Sequence, residues 1–384
     1  MGTSSAPVTA GSFDVERRVI RFGDLVSCNE AFIDCRTPGS ERKENYALIG
    51  PGVSQSSGQF VNLAEPHGYN VGAAAMPHGV VNSLHLHFTA EVFFNFGGEW
   101  SFSWGTDGTD GSYLSHEGDI ISMPTWIFRS FVNAGPDDGW LFTALGEDNT
   151  GGIIWGPSVL KDAEAFGLFL TRENVLIDRS VGDALPEPAR LIQPIPENER
   201  AALRHYSVDE IRQRVTTLAE RSFSSRSLLC YPIPGGRAEL AAVIGYGMTE
   251  DRDQHPRVTN PHGFSVAWLR AAPGEGILRC RSAASQVVIV RSGEWRLTLW
   301  DGDESSESSL FPRDAASLPA NAWRALKNVS DATSEMIVIN GGDGRVNLEW
   351  DSEVVEAAHA ANVGFDASGY LSPWSLVRDS VSGG

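Results

Sequence analysis

His85, His87 and Glu91 are the residues whose types and spacing most directly suggest chemistry. They stand two and then four residues apart in the stretch HLHFTAEVFFNFGG. On a strand, where side chains alternate, all three would share one face. Two imidazoles and a carboxylate on one wall make a divalent-metal site of the two-His-one-carboxylate kind, with coordination positions left over for other ligands. The intervening Leu86, Phe88 and Ala90 are apolar and would face the other way, as in a strand packed on both sides. An H-x-H pair by itself is weak, because paired histidines in β-rich chains are often hydrogen-bonded core. Glu91, in phase with the pair, strengthens it.

A second stretch, GDIISMPTWIFRSFVN, follows about 20 residues on and carries Gly118, Pro124 and Asn133. Together the two stretches resemble the paired motifs of the cupin superfamily, G followed by H-x-H-x(3,4)-E-x6-G and then G-x5-P-x-G-x2-H-x3-N. Gly79 stands at the opening glycine, His85, His87 and Glu91 at the first three ligand positions, and Gly98 at the closing glycine. The first motif is complete and the second is not. Trp126 replaces its second glycine, and Arg129 stands where the family carries a fourth ligand, a histidine. A guanidinium offers only donors and cannot ligate a metal. Two arrangements follow: Arg129 turned inward as a fixed cation for an anionic substrate, or Arg129 paired with Glu91, since buried arginines are normally paired. Trp126, Phe93 and Asn95 are candidates to line the pocket beside it, although aromatic lining is as often plain core. His78 and His116 are the histidines that could replace the missing ligand, yet neither shares the alternating phase of the others.

The elements that must position these residues occur twice, at a separation of 195 residues. Gly98-Glu99-Trp100 matches Gly293-Glu294-Trp295, and Pro124, Arg129 and Asn133 match Pro319, Arg324 and Asn328. Pro66-His67-Gly68-Tyr69 matches Pro261-His262-Gly263-Phe264, Cys35 matches Cys230, and Trp155 matches Trp350. A period this long marks two tandem domains rather than a solenoid. Each copy reads as short β-branched and aromatic runs such as VFFNF, WSFSW and QVVIVR, separated by turn signals such as NAGPDDG. The expected fold is all-β: two tandem cupin-type jelly-roll barrels, with a helical connector and a short helix ending each copy. The helical stretches are PSVLKDAEAFGLFL, with Gly167 on its apolar face, and SEVVEAAHAANVGF. In the connector, Ser207 with Glu210 three residues on forms a helix start. The expected division is an N-terminal arm over 1–34, a metal-binding barrel over 35–180, a connector over 181–222, a degenerate barrel over 223–372 and a tail over 373–384.

The second copy keeps the frame and lacks the chemistry. Cys280, Ser282 and Gln286 stand where the first copy has His85, His87 and Glu91, and such a set has little affinity for a hard divalent ion. Arg324 survives there without a metal site, so a structural role shared with Arg129 stands open beside substrate binding.

Composition narrows the class. The 384 residues suffice for two ordinary domains, and a hydrophobic content of 41% suits a globular chain. A net charge of −19, with no basic run, argues against nucleic-acid or anionic-membrane partners. No apolar run is long enough to span a bilayer, and the opening MGTSSA reads as a flexible tail or cloning remnant, so the expected location is cytoplasmic. Cys28, Cys35, Cys230 and Cys280 form no C-x-x-C and read as free thiols.

The resemblance implies a bicupin with one working barrel, similar to metal-dependent dioxygenases such as the gentisate and quercetin dioxygenases. It implies His85, His87 and Glu91 as ligands to Fe(II), with Mn(II), Ni(II) or Zn(II) as alternatives, and Arg129 holding the anionic end of a small substrate. A redox-neutral isomerase, lyase or decarboxylase using the same site stays open, as does a non-catalytic small-molecule binder. Cupin barrels commonly pair through their sheets, so a homodimer is expected.

Overall fold

The computed structural model describes residues 14–381, so the opening MGTSSA lies outside the described residues. Two barrels follow one another, each made of two facing sheets. In the first, a seven-stranded sheet runs in the order Val215–Thr216, Ile120–Met123, Glu91–Gly97, Gly139–Gly146, Tyr69–Met76, Glu44–Ile49, Val61–Leu63. It faces a five-stranded sheet ordered Ile153–Trp155, Val81–His87, Arg129–Asn133, Trp100–Trp104, Gly111–Ser115. The second barrel repeats the plan with six and five strands.

The larger sheets of the two barrels pack back to back. Leu48, Val71, Phe94 and Phe142 of the first share one core with Val243, Val266, Trp268 and Ile337 of the second. This explains why Glu91–Gly97 (EVFFNFG) is buried on both faces, as is its counterpart Gln286–Val290 (QVVIV): one face lines a barrel and the other meets the neighbouring barrel.

The interface has the character of a two-fold axis. His67 Nε2 lies 2.8 Å from Ser317 Oγ, and its repeat partner His262 Nε2 lies 2.7 Å from Ser122 Oγ. Each P-H-G turn is held by a carboxylate that accepts its backbone N–H groups, Asp148 in one copy and Asp343 in the other. The edges are exchanged as well. Val19–Ile20 pairs with Ala315 and Ala316 of the second barrel, while Val215–Thr216 pairs with Ile120 and Ile121 of the first. Each exchange covers a sheet edge that would otherwise present unpaired backbone groups.

Four local expectations are corrected. The first terminal helix is Pro157–Ala165, and Gly167, at φ +75°, leaves it rather than sharing its face; Leu168–Leu170 turns into a hairpin with Leu176–Asp178. The second is Ser352–Ala360, followed by a Val363–Phe365 strand. The segment read as a tail forms the helix Trp374–Val381, with Trp374 stacked on His359 at 3.6 Å. The connector is mostly irregular, with helices Glu197–Arg200 and Val208–Arg212, and the latter starts on the Ser207–Glu210 capping box.

Candidate metal centre

His85 and His87 lie at the end of Val81–His87, and the chain turns at residues 88–90 before Glu91 opens the next strand in the opposite sheet. The expectation of one continuous strand is therefore corrected. The three side chains converge because the two sheets of the barrel face each other, not because one strand alternates. Their ligand atoms lie within 4.8 Å of one another, and all three residues are buried. Among the described residues no other group of three histidines, cysteines or acids is so placed. Gly98 closes the motif for a steric reason: it has φ +87°, and a Cβ there would lie 2.8 Å from Gly139 Cα.

The hydrogen bonds prepare these atoms for a cation. His85 Nδ1 lies 2.7 Å from the Ser83 carbonyl, which can only accept, so Nδ1 carries the proton and the Nε2 lone pair is free. His87 Nδ1 is buried without a hydrogen-bond partner. Burial foremost, and then the nearby Arg129 cation, pushes the His85 imidazole down to about 3 and holds His87 well below its ordinary range, so both rings are neutral donors. Glu91 is pushed up by burial and down by Arg129. Atoms sharing a divalent ion at about 2.1 Å stand about 3 to 4 Å apart, within a side-chain adjustment of the observed set. By donor chemistry and placement, the three residues fit a divalent ion.

Arg129 is fully buried, and its Nε and Nη2 donate to Glu91 Oε2 at 3.0 and 2.9 Å while Nη1 donates to the Ile127 carbonyl at 3.0 Å. Both donors converge on Oε2, leaving Oε1 outside the pair. The expectation of an inward cation gripping substrate gives way to the paired arrangement, because an enclosed guanidinium takes the nearest carboxylate. Arg324 repeats this geometry, donating to Gln286 Oε1 and to the Ala322 carbonyl.

A cavity of about 80 Å³ opens onto His85, His87 and Glu91 and is lined by Asn45, Asn70 and Asn82 among polar side chains. Arg129, Trp126, Phe93 and Asn95 are not among the residues that line it. Phe93 packs against Phe102 and Phe131 in the barrel floor. The Asn95 amide donates to the Gly98 carbonyl and Ser115. Trp126 is half exposed against Phe88, at φ +58°, and its counterpart Asn321 has φ +63°. That left-handed backbone is why the motif has glycine at this position. His78 is held by the Gly135 carbonyl and His116 faces Glu99 at the surface, so neither joins the set.

Sequence reasoning missed Asp34, Lys43 and Asn82. Lys43 and Asp34 are a fully buried ion pair, and Lys43 also reaches Asn82 beside His85. No local pattern marks them, since they come from separate segments.

The second barrel is closed. Its equivalent space is about 10 Å³, room for one water at most, and burial pushes the Cys280 thiol up to about 11, so it stays protonated. Nearby, Glu250 accepts hydrogen bonds from Trp350 Nε1 and the Leu229 N–H, and burial pushes its carboxyl up to about 8.

No protein-family model matches the chain, and no curated protein matches it in sequence. Solved structures do match in fold. Oxalate decarboxylase from Bacillus subtilis at pH 4.6 aligns over 92% of this chain and 84% of its own, with TM-score 0.54 and 14% identity. A deletion mutant of the same enzyme aligns over 89% and 80%, at 0.53 and 13%. The Lactobacillus farciminis oxalate decarboxylase formate complex aligns over 89% and 88%, at 0.52 and 14%.

Two outcomes are expected. Arg129→Met removes the partner of a buried carboxylate and lowers unfolding free energy by about 3–5 kcal/mol, read from urea denaturation. Glu250 gives a pH dependence. Its folded value of about 8 lies above its ordinary 4.5, so the folded state holds the proton more tightly than the unfolded chain. That contribution is complete below 4.5 and is lost as pH rises through 8. Wild type loses more stability between pH 5 and pH 8 than Glu250→Gln does, measured by denaturation at both values. The two-sheet barrels and their near full-length alignment establish that the chain has the bicupin fold, two tandem cupin barrels in one polypeptide.

Proposed function

We propose that the protein is a divalent-metal-dependent enzyme whose first barrel works on a small anionic substrate, as an Fe(II)-type dioxygenase. The observation that carries this reading is the buried convergence of His85, His87 and Glu91 on one small polar cavity. When bound, a redox-active divalent ion supplies open positions at which substrate and dioxygen meet and exchange charge.

The residues around it favour an anion. Glu91 and Arg129 offset each other and the imidazoles are neutral, so a divalent ion would leave a buried excess of positive charge that an anionic ligand neutralises. Asn45, Asn70 and Asn82 offer amide hydrogen bonds to such a ligand. Size narrows the class further. One water needs 10–15 Å³, so a cavity of about 80 Å³ favours a compact acid over a multi-ring compound.

A redox-neutral decarboxylase is the second reading. It is favoured by the same preference for a compact acid, and by likeness in fold to oxalate decarboxylase, whose Bacillus subtilis form has Mn(II) centres. Fold does not choose between these reactions; oxygen uptake on adding small oxo- and hydroxy-acids does. Consumption of dioxygen with substrate supports the dioxygenase, and carbon dioxide release without it supports the lyase.

Mass spectrometry of metals in untagged protein is expected to find about one ion per chain. His85→Ala and Glu91→Gln should empty the site while the fold persists, the second because Gln286 already fills that position beside Arg324. Cys280→Ala should leave the metal content unchanged. Retention of metal by His85→Ala, with loss in Cys280→Ala, would contradict the assignment.

A further inference from the structure

Behind His85 the first barrel encloses a charge pair that its fold does not require. The Lys43 ammonium lies 2.7 Å from each oxygen of Asp34 and 2.8 Å from Asn82 Oδ1. A lysine has three protons to donate, and these contacts use them all. Asp34 Oδ2 also accepts the N–H of Ser83 at 3.1 Å. Two constraints on His85 follow. With Asn82 Oδ1 turned to Lys43, its Nδ2 lies 3.3 Å from His85 Nδ1; as a donor it limits where the ring can sit and does not set the tautomer. The Ser83 peptide, fixed through its N–H, presents the carbonyl that takes the Nδ1 proton. Ser83 lies where strand Val81–His87 breaks register with Arg129–Asn133, a point at which the backbone needs an outside partner.

The second barrel provides the internal control. At the 195-residue separation, Asp34, Lys43, Asn82 and His85 correspond to Leu229, Ala238, Ile277 and Cys280. These four are buried together in an apolar core. The same register break occurs there between Ile277 and Cys280. Residues that serve the barrel itself recur unchanged: Arg129 as Arg324, Asn133 as Asn328, Trp155 as Trp350. A cupin barrel thus closes with hydrocarbon at these positions, and hydrocarbon is often neutral or stabilising where it replaces a buried ion pair.

We propose that Asp34, Lys43 and Asn82 are positioning residues for the metal site: the Asp34–Lys43 pair, through the Ser83 peptide, holds His85 as the Nδ1–H tautomer with Nε2 presented to the cation, and Asn82 fixes the place of the ring. The inference rests on the proposed metal site. Outer partners of this kind typically change metal affinity by 10–100-fold when removed.

The test transplants the twin's solution: Asp34→Leu, Lys43→Ala and Asn82→Ile together. Mn(II) serves as probe, titrated into metal-free protein and followed by the electron paramagnetic resonance of the free ion. The triple variant is expected to melt cooperatively, as wild type does, and to bind Mn(II) about 10–100-fold more weakly. Imidazole ¹⁵N shifts should show a single Nδ1–H tautomer for His85 in wild type and a mixture in the variant. A folded triple variant with wild-type affinity overturns the positioning role alone. Wild type that binds no Mn(II) overturns the metal reading and this inference with it. Should the triple variant fail to fold, Asn82→Leu, which keeps the Asp34–Lys43 pair, is expected to weaken Mn(II) binding at least several-fold; unchanged affinity there also contradicts the proposal.

Discussion

A carboxylate enclosed in a barrel without water must be compensated, and Glu91 is compensated by Arg129. Both guanidinium donors meet one oxygen, so the pair neutralises the charge while leaving the other oxygen outside it. The rest of the first barrel's interior follows from that arrangement. The same buried cation helps keep His85 and His87 neutral, and a neutral imidazole is the form that ligates. Where the carboxylate is absent the sequence of consequences stops: Gln286 occupies the position in the second barrel, the histidines give way to Cys280 and Ser282, and the cavity shrinks to about 10 Å³.

The second barrel has a structural part in the first. The second copy supplies half of the shared core between the larger sheets and pairs with the N-terminal strand. The first copy receives a strand from the connector in return. The exchanged edges and the reciprocal His67–Ser317 and His262–Ser122 contacts bind the two halves as a symmetric dimer would. The second barrel is thereby free to fill its interior with hydrocarbon, and the first keeps its polar one against a rigid partner.

Much of this was legible in the sequence, for identifiable reasons. The repeat is exact enough in register that Arg129 and Arg324 coincide in structure, and the H-x-H and glutamate spacing marked the three residues that converge. The path between them was not legible: strand alternation accounts for His85 and His87, but only the closure of two sheets brings Glu91 across. Alternation also puts Phe93 and Asn95 in phase with Glu91, yet depth along the barrel decides which of them meets the cavity, and both lie in its packed floor. Arg129 could be read either way from sequence, because the choice depends on which carboxylate is nearest once the barrel closes. Asp34, Lys43 and Asn82 carried no signal, since charge pairs assembled from separate segments have no local pattern.

If one barrel of the two holds a cation, it holds it at His85, His87 and Glu91. Anomalous diffraction from crystals soaked in Mn(II), recorded across the manganese edge, tests it most directly. A single strong peak is expected in the first barrel, within bonding distance of both imidazoles and the Glu91 carboxylate, with Arg129 still against that carboxylate. A peak at Cys280 and Gln286, or a first barrel that stays empty while Arg129 and Glu91 remain closed on each other, would contradict it.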